Sequence, residues 1–248
     1  MNARQLADQL AAPVGRLGAA FYFDPGTVAA GQALGLDAVA FYGLGRGGVL
    51  GDVTAEEVER VFVFFAPRAI ERIWSRPRVT HDPATTAASY LAAADDYARR
   101  TFATLDADLA PRLAAAAHAA ADADAPGTHL LADGYARLGR ADDPVADAYR
   151  GVIRLRELRG ALHAEALAEV GIAPLVACYL DGPAGFALHG YREEEIPAVT
   201  DEDRRAYERA EDRTSELVAE RLGVLPEDRA ADLLAGVTAM ADVLDAPR

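Results

Sequence analysis

Apolar residues recur every three or four positions along nearly the whole chain, which is the spacing of one face of a helix. Leu6, Leu10, Val14 and Leu17 make such a stripe up to Phe21, and Asp24-Pro25 then caps and opens a second helix running to about Leu34, where Gly35 ends it. Asp37 to Tyr42 is predicted as a short extended piece that leads into a glycine segment. Thr54-Ala55-Glu56-Glu57 has the form of a capping box and starts a helix carrying Val58, Val61, Phe62 and Phe65. Pro67 starts another, with Ile70, Ile73 and Trp74 on its apolar face. Two prolines between Arg76 and Pro83 interrupt the pattern.

Asp82-Pro83 opens a helix through Tyr90, Tyr97 and Phe102, and an alanine-rich helix containing His118 follows over Leu109–Ala123. Asp142-Asp143-Pro144 starts the longest helix, about 145–170, which Gly171 ends. After it come Pro174 to Leu180, a turn at Asp181-Gly182-Pro183, and Phe186 to Tyr191. Thr200-Asp201-Glu202-Asp203 opens a charged helix to about Leu222, and Pro226-Glu227 opens a last one through Leu233, Leu234, Val237 and Met240. The predicted fold is therefore mainly α, a multi-helix bundle whose one departure is a small extended or winged element near 37–53. The prolines at 77 and 83 divide it into an N-terminal helical region with the glycine and arginine loop, 1–76, and a C-terminal helical bundle, 77–248, which together make one compact unit.

Composition narrows the chemistry. At 248 residues and 51% hydrophobic content the chain buries a core without help from disulfides or metals. No apolar run approaches the roughly 20 residues of a membrane span, and Met1-Asn2-Ala3-Arg4 leads into an amphipathic stretch without a secretory core, so a cytoplasmic protein with no membrane contact is expected. All 25 basic residues are arginine. Without lysine there is no Schiff base, no pyridoxal phosphate attachment and no nucleotide loop of the Gly-Lys type. No cofactor is predicted, although a haem held by one histidine stays open. A net charge of −14 opposes a polyanionic partner, so nucleic acid is disfavoured; a homodimer is left open.

Two places carry candidate chemistry. In Phe41 to Val53 five glycines surround Arg46, which suggests either a shaped anion site or a tight connection packed against helices. On the first reading Arg46, Tyr42, Gly45 and Gly47, with Tyr22, contact a small anionic or partly apolar ligand. Gly43 to Gly48 also fits Gly-x-Gly-x-x-Gly, but no helix begins directly after it and no second strand with a terminal acid follows, so a dinucleotide site is declined. No Gly-x-Ser-x-Gly elbow is present.

The second place is the long helix. Val152, Leu155, Leu158, Leu162, Ala166 and Val170 form one stripe, and Arg159 and His163 fall inside it, four apart and hence neighbours. Arg156 lies at its edge, while Arg154 and Glu157 are predicted to point away. Arg159 needs either an internal carboxylate or a bound anion. His163 is the first candidate general acid or base and His189 the second. His118 is less available, and His81 and His129 read as boundary residues. Cys178, the one cysteine, reads as a buried small apolar group more than a nucleophile, and the histidines show no metal-binding spacing, so no metal is predicted.

Ala12-Pro13, Tyr22-Phe23, Leu34-Gly35-Leu36, Tyr42, Gly45-Arg46, Leu50-Gly51 and Leu155-Arg156-Glu157-x-Arg159-Gly160-x-x-His163 together resemble a family of actinobacterial helix-turn-helix proteins, most of them uncharacterised. Glu211 to Leu217 is similar to that family's C-terminal helix, with Ser215 where Asp is usual. The resemblance spans nearly the whole chain and implies a winged-helix ancestry. It also implies that this is a short variant, because only the acidic segment Arg192 to Val199 stands where longer members carry a recognition helix and wing. The function expected is therefore a small-molecule-binding or catalytic helical protein of actinobacterial specialised metabolism with an Arg/His-lined pocket. The alternatives are a winged-helix-derived transcriptional regulator and a non-catalytic interaction protein.

Overall fold

The computed structural model describes residues 1–246. Among them are thirteen α-helices and no strand. In chain order the first five are α1 (Ala3–Ala19), α2 (Pro25–Ala33), α3 (Ala38–Gly47), α4 (Ala55–Val61) and α5 (Pro67–Ile70). Then come α6 (Pro83–Thr101), α7 (Leu109–Ala121), α8 (Leu130–Arg137), α9 (Pro144–Val170), α10 (Pro174–Asp181), α11 (Pro183–Leu188), α12 (Asp201–Leu222) and α13 (Glu227–Asp245). No single helix among the described residues is long and apolar enough to cross a membrane.

The bundle is organised around α9. The Asp143 carboxylate accepts from Ala146 N at 2.8 Å to cap its start, and Gly171, at φ 80°, ends it in the left-handed conformation that glycine adopts without strain. Helices α1, α6, α7, α8 and α12 all pack on it. Against α7 the approach is close because both faces are small: a Cβ added at Gly151 would lie 2.8 Å from that of Ala117. This is how an alanine-rich helix, which buries little area per residue, gains its stability from neighbours.

Encirclement also corrects the wheel drawn for this helix. Arg154 and Glu157 are buried, not turned to water, since no side of α9 faces solvent at that level. The Arg154 guanidinium donates to the Ala132 carbonyl at 3.2 Å and bonds His118 Nδ1 at 2.9 Å and the Asp122 carboxylate. His118 also meets the Asp147 carbonyl at 3.2 Å, so its polar atoms serve the scaffold.

The extended element expected near 37–53 is a helix instead. Asp37 accepts from both Val39 N (2.9 Å) and Ala40 N (2.8 Å), which nucleates α3, and one 3-10 turn, Gly48–Leu50, continues it. Its glycines form no loop. Gly43 lies against Ile73, Gly45 against Tyr90, Gly47 against Trp74 and Gly48 against the Pro83 carbonyl; a Cβ at Gly45 would come within 2.5 Å of the Tyr90 ring. Two elements, the turn Glu71–Ser75 and α6, crowd α3 so closely that they leave little or no room for side chains on those sides, and this packing wins over glycine's poor helix propensity of about 1 kcal/mol per residue. Trp74, Tyr90 and Phe41 are fully buried in return, each contributing about 1.5–3 kcal/mol.

Three short helices had no clear signal. Leu130–Arg137, Pro174–Asp181 and Pro183–Leu188 are one to two turns each, too short for an apolar period to show. A single wide turn, Glu71–Ser75, in which Arg76 N donates to Glu71 O at 3.0 Å, carries Trp74 beneath α3.

Candidate functional site

A cavity of about 470 Å³ lies between the end of α3, the segment 60–65, the middle of α9 and the α10–α11 pair. Of the residues singled out in the sequence, Arg46, Tyr42, Arg159, His163 and His189 line it together. Gly45 and Gly47 do not, because they face Tyr90 and Trp74. Tyr22 stands behind the wall, with its hydroxyl 3.5 Å from Glu157 Oε1.

Arg46 departs from its expected role. Its fork is already filled: Nε donates to Glu157 Oε1 at 2.9 Å and Nη2 to Oε2 at 2.7 Å, the side-on bidentate geometry in which guanidinium and carboxylate match best. The ring of Phe62 lies under the guanidinium, 4.5 Å from its carbon, and Nη1 reaches the Tyr42 hydroxyl only at 3.4 Å. Arg156 donates from Nη1 to the same Glu157 Oε1 at 3.0 Å and covers the Tyr22 ring at 5.1 Å. Burial works to raise the Glu157 carboxyl, but the charges of Arg46 and Arg156 overcome it and hold it below its ordinary value. The helical wheel missed Glu157 because it assumed a solvent face.

One turn along α9, Arg159 donates to Glu211 Oε2 at 2.8 Å. His163 stands beside the same carboxylate, with Nδ1 3.3 Å from Glu211 Oε1 and 3.0 Å from Thr214 Oγ1. The Thr214 hydroxyl spends its single proton on the Ala210 carbonyl at 2.7 Å, so toward the imidazole it accepts. Both partners of Nδ1 are therefore acceptors, and Nδ1 carries the proton. The neutral ring then presents the Nε2 lone pair. Burial holds His163 below its usual range, which Glu211 partly offsets, so the ring is neutral at physiological pH and Nε2 can take a proton. The partner of Arg159 and His163 was legible only in hindsight, as Glu211 and Thr214 sit three apart on α12 facing two residues four apart on α9.

The third polar group comes from α10 and α11. Cys178 is buried, as its flanks suggested, with Sγ 3.3 Å from His189 Nδ1. Burial pushes the thiol up to about 11, and burial followed by the charge of Arg46 pushes His189 down to about 4. Thiol and imidazole are both uncharged at rest. The His189 carbonyl accepts from Ala66 N at 2.9 Å, and its ring meets the Phe65 ring edge-on at 4.6 Å, so these short helices are moored to the aromatic wall 62–65. His129, read as a boundary residue, is buried at the cavity's far side, bonded to Asp124 at 2.7 Å. His81 lies away from the cavity, 2.8 Å from the Leu34 carbonyl. Among the described residues no group of three His, Cys, Asp or Glu side chains is placed to hold a metal ion.

No curated protein and no solved structure matches the chain. A family model described as "Helix-turn-helix family" matches residues 7–197, which takes in α3, α9 and the α10–α11 pair and stops before α12. Covering well over half of the sequence, the match establishes that the chain belongs to the Helix-turn-helix family.

Proposed function

We propose that the cavity receives a small, partly apolar molecule, and that the protein works by binding or transforming it in small-molecule metabolism. The observation that carries this reading is the convergence on one cavity of Tyr42, the Arg46–Arg156–Glu157 group, His163 and the Cys178–His189 pair beside the wall of Phe62, Phe64 and Phe65. His163 Nε2 supplies a base for a transformation, with Arg159 and Glu211 orienting it.

The family description favours a second reading, a regulator that binds DNA. Against it stand the net charge of −14 and the state of the arginines. Among the described residues, all but Arg137, Arg204 and Arg229 lie within ion-pair distance of an acid. Where a recognition helix would be sought, a single turn of Glu193–Glu195 leads into α12, and phosphate repels it.

Native mass spectrometry of the protein purified from its own host tests the proposal. A retained small molecule that is lost in Ala161→Trp, which fills the cavity from α9, is the expected result. A bare protein whose melting temperature does not change in the host's small-molecule extract overturns it, and salt-sensitive binding to a duplex at physiological salt hands the function to the second reading.

A further inference from the structure

We propose that the cavity selects a monoanionic ligand, a carboxylate or equivalent group on a partly apolar skeleton, and that the free edge of Arg156, with Arg46 Nη1 and the Tyr42 hydroxyl, is its anion subsite. This rests on the small-molecule reading above and deepens it.

The argument begins with a charge imbalance. Glu157, whose side chain is 1% exposed, is shared by two guanidinium groups, and neither can lose its proton. Its Oε1 is fully used, by Arg46 Nε, Arg156 Nη1 and the distant Tyr22 hydroxyl, and its Oε2 takes Arg46 Nη2. One positive charge is left over in the wall of a cavity, where a lone ion costs several kcal/mol through lost hydration.

The surplus can be assigned to particular atoms. Arg46 has used its Nε and Nη2 side and keeps Nη1, which makes only the long 3.4 Å contact to Tyr42. Arg156 has used Nη1 alone, so its Nε and Nη2 donors have no protein acceptor among the described residues, and its side chain keeps 26% exposure. Its stem is pinned, because the Arg156 Cβ and Cδ lie where a Cβ on Gly18 of α1 would stand, 2.8 Å away. A pinned stem with two free donors is a preorganised anion contact.

The rest of the lining does not cancel this charge. Arg159 and Glu211 neutralise each other one to one, and His163 is neutral. Asp181 opposes the surplus only from an exposed position, where water screens it and where it accepts from the Tyr207 hydroxyl at 3.4 Å, and Arg60 is paired with Glu56 outside the lining. The same positive field is felt at His189, which the Arg46 charge helps to hold down. The rings of Phe62, Phe64 and Phe65 line the same cavity, so the anion should sit on a flat, apolar body.

The probes are naphthoate, naphthamide and naphthylmethylamine, matched in size and differing in charge, titrated into the full-length protein at neutral pH by calorimetry and thermal shift. Naphthoate should bind about tenfold tighter than naphthamide or better, the value of one charge-assisted contact, and the amine should not bind. Arg156→Gln should erase the preference, bringing naphthoate affinity down to that of naphthamide in the same variant. It should fold, because Arg46 and Glu157 remain as a balanced pair. Arg16→Gln, which removes the same charge at a surface pair with Asp245, should leave the preference intact.

Equal binding of acid and amide, or a preference for the amine, overturns the inference while the small-molecule reading survives. If no probe binds, the molecule retained from the host decides: an anion lost in Arg156→Gln supports the subsite, and a neutral or cationic molecule overturns it. No probe bound and nothing retained removes both readings.

Discussion

Two arginine–carboxylate groups that share α9 face one cavity, one completed by Arg46 of α3 and the other by Glu211 of α12, and they are built on opposite plans. At the floor, Glu157 is sealed from water and serves two cations, so that its own charge is exhausted and a positive one remains. At the rim, Arg159 and Glu211 are paired one to one with side chains 25% and 37% exposed, and the second carboxylate oxygen is spent on His163. The difference teaches that burial and stoichiometry, not residue type, decide what such a pair can do. The floor holds the fold together and retains field; the rim is cheap and gives a histidine its orientation.

The strongest way to break this contrast is to delete each acid in turn. Glu157→Ala leaves the buried Arg46 guanidinium without its partner beside the half-buried one of Arg156 and should cost about 3–5 kcal/mol. Glu211→Gln, at an exposed pair, should cost less than about 1 kcal/mol. Urea denaturation of the two variants checks this, and equal losses would erase the distinction between floor and rim.

A smaller effect separates them by pH. His189 titrates at about 4 in the folded protein against about 6.5 in an unfolded chain, so on acidification the unfolded state takes the proton first. Stability should therefore decline as pH falls from about 6.5 toward 4. The floor acts lower: Glu157 is held below its ordinary value, so its contribution is present at neutral pH and is lost as pH drops through its folded value. Urea midpoints followed down the pH scale should show the upper decline shrink in His189→Gln, with the part due to His163 remaining, and the lower one persist.

The smallest effect concerns one ring. Long-range proton–nitrogen NMR should find the His163 proton on Nδ1 in the neutral form. In Glu211→Gln its titration should move further down, because the carboxylate that partly offsets burial is gone. A proton on Nε2 would reverse the deduction drawn from Thr214.

What could be read in the sequence was what local chemistry controls. Thr54 with Glu57, Thr200 with Asp203, and Asp143 before Pro144 cap helices by contacts within three residues, and all are found as expected. The glycine segment was misread as extended because its helix depends on Ile73, Trp74 and Tyr90, which lie outside any window centred on it. His163 lies buried, as its apolar stripe suggests, while Arg159 in the same stripe lines the cavity half-buried. Glu157 was lost because the same wheel presumed a wet side. The contact of Cys178 with His189 needed two one-to-two-turn helices to fold back on each other, and nothing in their residue pattern announces that return.

The bare faces of α3 have a further consequence for how the pocket's dimensions can drift. Since Gly43, Gly45 and Gly48 press directly on neighbouring atoms, the depth of α3 in the bundle is set by hydrogens where other helices have side chains. Tyr42 and Arg46, one turn apart on that helix, have their reach into the cavity fixed from behind. A single methyl at Gly45 would press α3 off the Tyr90 ring and displace both polar groups together, changing the space they face without altering any residue that lines it. Calibre, in this protein, is adjusted on the side of the wall that the ligand never meets.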